Sequence, residues 1–70
     1  MLAEERHAVI LELVHRQGNV KLTELCSRLH ASQSTIRRDL IELSEQGLLT
    51  KVHGGAISKD ERFFPVEHNM

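Results

Sequence analysis

Two apolar stripes at helical spacing, on helices parted by only three residues, constrain this chain more than any other feature. Leu22, Leu25, Cys26 and Leu29 occupy i, i+3, i+4 and i+7 of one short helix. After His30-Ala31-Ser32, a second stripe at Ile36, Leu40 and Leu43 belongs to a helix running from Gln33 to Gln46. Ser32 suits the N-cap, because its hydroxyl accepts from free backbone N–H groups of the following turn. Gly47 supplies the stop at the far end.

A longer helix precedes this pair. From Ala3 to Gln17, the residues Ala3, Ile10, Leu11, Leu13 and Val14 share one broad arc of the wheel, with Glu4, Glu5, Glu12 and Arg16 largely elsewhere. Glu4 and Glu5 suit the positive end of the helix dipole, Arg16 suits the negative end, and Gly18 stands at the expected C-terminal cap. Asn19-Val20-Lys21 is then a short extended segment, able to pair only as the third member of a small sheet. Beyond Gly47 the helical stripe disappears. Leu48 to Val52 and Ala56-Ile57 read as the two arms of a hairpin, with Gly54-Gly55 at its tip. The fold class is therefore mainly α with a small β component: three helices, the second and third forming a helix-turn-helix, followed by a hairpin wing. From Ser58 the chain turns polar, and 59–70 reads as a linker in which Phe63 and Phe64 pack either on the domain or on a C-terminal neighbour.

Length and composition exclude much else. Seventy residues permit one small domain. With 40% hydrophobic and 27% charged residues the profile is globular, and no apolar run approaches the roughly 20 residues of a membrane span. The acidic start at Glu4-Glu5 has no basic segment and apolar stretch after it, so the expectation is a cytoplasmic chain without a secretory signal. One cysteine, Cys26, cannot form an internal disulfide. No nucleophile motif, phosphate loop or paired catalytic carboxylates are found, so neither enzyme activity nor a cofactor is expected. The net charge of -1 is unusual for a nucleic-acid-binding domain. Phosphate contact depends on the local field, however, and Arg37, Arg38, Lys51 and His53 are the positive groups that one face can gather.

In a helix-turn-helix the second helix enters the major groove and its N-terminal residues reach base edges. With Ile36 inward, Ser34 and Arg38 project away from the core, Arg37 projects to one side, and Gln33 lies in the exposed first turn. Arg and Gln match guanine and adenine edges; Ser and Thr suit phosphates or adaptable base contacts. Thr35 packs toward the second helix or bonds a phosphate. Free N–H groups of this first turn add an anion site of their own. Lys51, His53 and Gly54, at the wing, track phosphates or the minor groove. On an arbitrary helix Arg37 and Arg38 would instead be solvated charges pairing with Asp39, Glu42 or Glu45, and Lys51 and His53 plain strand and turn residues.

The run Ser32-Gln33-Ser34-Thr35-Ile36-Arg37-Arg38-Asp39-Leu40, with Leu43, Gly47-Leu48-Leu49 and Val52-His53-Gly54-Gly55-Ala56, resembles the N-terminal domain of DeoR-type bacterial repressors. The likeness takes in Arg6 and the Ile10 to Val14 region and covers about residues 3 to 58. It implies a winged helix with its helix-turn-helix at about 20–39, a double-stranded DNA operator as partner, and a larger C-terminal domain outside this chain. That second domain is implied to bind a phosphorylated sugar, to form a homo-oligomer and to serve repression of a carbohydrate-utilisation operon. Two residues depart from the pattern. Cys26 stands where alanine is frequent, and Lys21 sits near a helix start where Ser or Thr is usual, which weakens a cap.

Two other binding readings compete. Cys26 and His30 at i, i+4 form half of a zinc site that His7, His15 or His53 would complete, as in a metal-responsive regulator. Against it, Cys26 lies on an apolar stripe and a buried free cysteine commonly acts as a small hydrophobe; no metal ligands are assigned. A winged helix used for protein contact is the second, and loss of DNA binding on charge reversal at Arg37 and Arg38 separates it from the first reading.

Overall fold

The computed structural model describes residues 1–59. The element order is α1 (Ala3–Gln17), β1 (Asn19–Lys21), α2 (Leu22–Leu29), α3 (Gln33–Glu45), β2 (Thr50–Val52) and β3 (Gly55–Ile57). This is the expected winged helix-turn-helix. The linker reading of 60–70, including Phe63 and Phe64, lies outside the described residues.

Helix α1 starts where the Glu5 carboxylate accepts from the Leu2 N–H at 2.8 Å, an acidic group holding an orphan donor at the positive end of the dipole. It buries Ile10, Leu13 and Val14; Ala3, which the wheel placed on the same arc, is exposed in the first turn. Helix α2 buries Leu25 and Leu29, with Leu22 and Cys26 half-buried. It ends at His30, whose left-handed φ of 54° reverses the chain within a turn short enough to bring Ser32 directly to the head of α3. A non-glycine residue there costs about 1 to 2 kcal/mol. Helix α3 contributes Ile36, Leu40 and Leu43, as its stripe predicts.

The sheet runs β1-β3-β2, both pairs antiparallel, so β3 is the central strand although it comes last in the chain. Val20 pairs with Ala56 and Lys51 pairs with Ala56 from the other side, and Val20, Leu49 and Ala56 close the core beneath the helices. The hairpin differs from expectation at its tip. Its turn is His53-Gly54, while Gly55 is a buried strand residue paired with both Val52 and Lys21. The two glycines thus have separate jobs. Gly54 takes φ 80° in the turn, and Gly55 permits close approach: a Cβ built on it would clash with the Val20 carbonyl oxygen and come within 3.1 Å of the Lys21 Cα.

Candidate nucleic-acid interface

The head of α3 is built by Ser32. Its Oγ accepts from the Thr35 N–H at 3.2 Å and donates to the Thr35 Oγ1 at 3.0 Å, with the Ser34 hydroxyl 3.2 Å away. The cap is therefore as expected, and Thr35 is half-buried with its hydroxyl already engaged. The Ile36 N–H reaches the Ser32 carbonyl, which leaves the amides of Gln33 and Ser34 without an intrahelical acceptor. Gln33, Ser34, Arg37 and Arg38 are all exposed.

The wing is pinned to the helix-turn-helix. Lys21 makes no side-chain cap at the start of α2, and the Leu22 N–H instead donates to the Gly54 carbonyl in the wing turn at 2.8 Å. That bond sets the turn beside α3. Between them lies a groove of about 260 Å³ lined by Leu22, Arg37, Leu40, Lys51, His53, Gly54 and Gly55. Arg37, Lys51, His53 and Gly54 thus come together in one place. Arg38 stays outside the groove, on the outward face of the helix with Ser34 and the 42% exposed Ile41.

In the alternative to DNA contact, Asp39 is one of three surface carboxylates offered as partners for Arg37 and Arg38. It is instead buried, 2% exposed, and held from the other direction by α1. Arg6 Nε donates to its Oδ2 at 2.6 Å and Arg6 Nη2 to its Oδ1 at 3.1 Å, while His7 Nε2 lies 3.0 Å from Oδ1 and 3.5 Å from Glu42. Burial pushes the Asp39 carboxyl up, but hydrogen bonds from Arg6 and His7 and their charges outweigh it and hold the carboxyl below its ordinary value. The hydrogen bond to Asp39, against some desolvation, raises Arg6 in turn. The signal was present in the stripe: Ile36, Asp39, Leu40 and Leu43 sit at i, i+3, i+4 and i+7, so position 39 faces inward. This carboxylate fixes α3 to α1 one residue from Arg38.

The histidines and the cysteine have other places. His7, Asp39 and Glu42 bring ligand atoms within 4.8 Å of one another, but both Asp39 oxygens are already taken by Arg6. Among the described residues Cys26 and His30 join no such cluster. No described helix is long and apolar enough to cross a membrane.

The profile of the DeoR-like helix-turn-helix domain matches residues 6–62. The chain belongs to the DeoR-like helix-turn-helix family. This DeoR-like domain is 50% identical over 56 residues to an uncharacterised HTH-type transcriptional regulator, FruR, of Bacillus subtilis, covering 80% of this chain and 22% of the relative. It is 45% identical over 60 residues to the lactose phosphotransferase system repressor of Streptococcus mutans, covering 86% and 24%. With the repressor of that name from Staphylococcus aureus it shares 47% over 58 residues, covering 83% and 23%. The chain spans less than a quarter of the length of these relatives. These relatives are transcriptional regulators by name. No solved structure gives a significant match.

Proposed function

We propose that this domain binds double-stranded DNA sequence-specifically as the reading head of a transcriptional regulator. Helix α3 lies in the major groove, Gln33, Ser34 and Arg38 meet base edges, and the wing follows the sugar-phosphate backbone. Ile41, exposed on the same face, meets a thymine methyl or the sugar edge. One observation carries the reading. Of the five described arginines, Arg6, Arg16 and Arg28 each hold a carboxylate, whereas Arg37 and Arg38 hold none among the described residues. Carboxylates are not scarce in a chain with ten of them, so two free guanidiniums, Arg37 toward the wing and Arg38 on the outward face of α3, stand ready for an outside anion or base.

The wider proposal is a homo-oligomeric repressor of a carbohydrate-utilisation operon, released by a phosphorylated sugar bound in a further domain. The repressor names and sugar systems of the relatives support it. Two joined heads on two half-sites would then supply the affinity that one head of net charge -1 lacks.

Selection from a random duplex pool with the 70-residue chain tests the reading. A sequence motif is expected to emerge. Arg38→Ala is then expected to lose about 1 to 3 kcal/mol of discrimination between the selected and a scrambled duplex. Equal weakening on both duplexes would make Arg38 a phosphate anchor. Unchanged binding in the Arg37→Glu, Arg38→Glu double variant would take the DNA contact away from α3, and emergence of no motif from the unaltered chain would overturn the DNA reading in favour of a protein-contact module.

A further inference from the structure

The groove between α3 and the wing has a more specific use than a general basic surface. Arg37 from α3, Lys51 from β2 and His53 from the turn line the same space of about 260 Å³. None of the three is in an ion pair among the described residues. The floor is backbone: Gly54 has nothing within 4 Å of where a side chain would begin, and Gly55 is barred from carrying one. The turn is also fixed in advance, because the Gly54 carbonyl is held by the Leu22 N–H. A cationic rim, an open glycine floor and a preset turn suit a tetrahedral anion carrying a small apolar body, for which Leu22 and Leu40 form the wall.

We propose that this groove is a single phosphate clamp, in which Arg37, Lys51 and His53 jointly hold one phosphodiester of the DNA backbone with its deoxyribose against Leu22 and Leu40. The proposal rests on the DNA-binding reading. Place argues for a backbone unit over a free phosphorylated metabolite, since Arg37 in the groove adjoins Arg38 on the exposed outward face of α3. Arg37 supplies a planar fork, Lys51 a point charge, and His53 a ring N–H that donates in either tautomer. Arg37 therefore anchors, and base reading falls to Arg38, Gln33 and Ser34.

The test uses the salt dependence of binding, whose slope falls by about 0.9 for each phosphate no longer neutralised. The 70-residue chain, Arg37→Gln, Lys51→Gln, His53→Gln and the Arg37→Gln, Lys51→Gln double variant are titrated on one selected duplex at several salt concentrations. Arg16→Gln, on the far end of α1, serves as control. Circular dichroism verifies each fold. A shared clamp predicts that the double variant loses about 0.9 of slope in all, with each single variant losing less because a cation remains on the phosphate. Single losses of about 0.9 each that sum to about 1.8 in the double variant, the mark of two independent contacts, overturn it, as does no loss in the double variant. Amide shifts of Gly54 and Gly55 in glucose 6-phosphate, with unchanged DNA slopes, would give the groove to a free phosphomonoester instead. Failure of the unaltered chain to bind any duplex would sink the DNA reading itself, which is a separate outcome.

Discussion

Replacing Gly55 and Gly54 by alanine, one at a time, separates two physical roles that look identical in the sequence. At Gly54 a Cβ meets nothing within 4 Å, and the cost is that of a side chain at φ 80°. That is about 1 to 2 kcal/mol. At Gly55 the Cβ would strike the Val20 carbonyl and approach Lys21 Cα and Val20 C to 3.1 Å each, and all three are backbone atoms that cannot swing aside. Strand β3 must then separate from β1, whose pairs Asn19↔Ile57, Val20↔Ala56 and Lys21↔Gly55 are flanked by the Ser58-to-Gly18 and Leu22-to-Gly54 hydrogen bonds. Two ladder bonds at about 1 kcal/mol each, with overpacking of about 1 to 3, give a cost of about 3 to 5 kcal/mol. A domain of this size holds only about 3 to 5 kcal/mol in total, so Gly55→Ala is expected to abolish the cooperative melt. Gly54→Ala is expected to lower Tm by about 4 to 8 °C per kcal/mol and still fold. Thermal melts by circular dichroism, repeated in added sucrose to recover a transition for the weaker variant, measure both. Equal melting temperatures for the two variants would refute the close-approach argument and return Gly55 to the turn.

Other perturbations reach the helices. Leu40→Ala, at a position 1% exposed, is expected to cost about 2 to 5 kcal/mol by circular dichroism; an unchanged melt would remove Leu40 from the core. Ser32→Ala removes the α3 cap and is expected to cost about 1 kcal/mol in urea unfolding, with Ala at Ser44 as a comparison that caps nothing. Because Asp39 is held below its ordinary carboxyl value, its contribution is complete above the unfolded value of about 3.9 and is lost as pH falls through the lower, folded one. Asp39→Asn should therefore be less stable at neutral pH, with a flatter fall of stability in acid; an acid limb as steep as that of the unaltered chain would place the titration elsewhere.

Elements governed by local periodicity and capping were legible in the sequence. All three helices, the Ser32 cap and the pairing of Asn19-Val20-Lys21 with the hairpin follow from apolar spacing and punctuation residues. What escaped depends on contacts distant in sequence. Asp39 reads as one more surface charge until Arg6, 33 residues away, is seen to meet it. Gly55 reads as a turn residue until β1 lies against it. Arg37, Lys51 and His53 read as positive groups that one face can gather, but that Arg38 stays out of their groove emerges only with the wing folded back on α3. Lys21 was legible as a poor cap, yet the compensation from Gly54 was not, because the donor and acceptor are 32 residues apart.

That compensating bond makes the start of α2 and the tip of the wing one cooperative unit. The first amide of α2 is protected from solvent exchange only while the wing is seated, so Leu22 reports wing opening from a position outside the wing. Its exchange rate should follow that of the β3 amides and not that of the later α2 amides. Whatever seats the wing more firmly, a phosphate in the groove included, should slow exchange at Leu22 and at the same time steady the helix that carries the turn into α3.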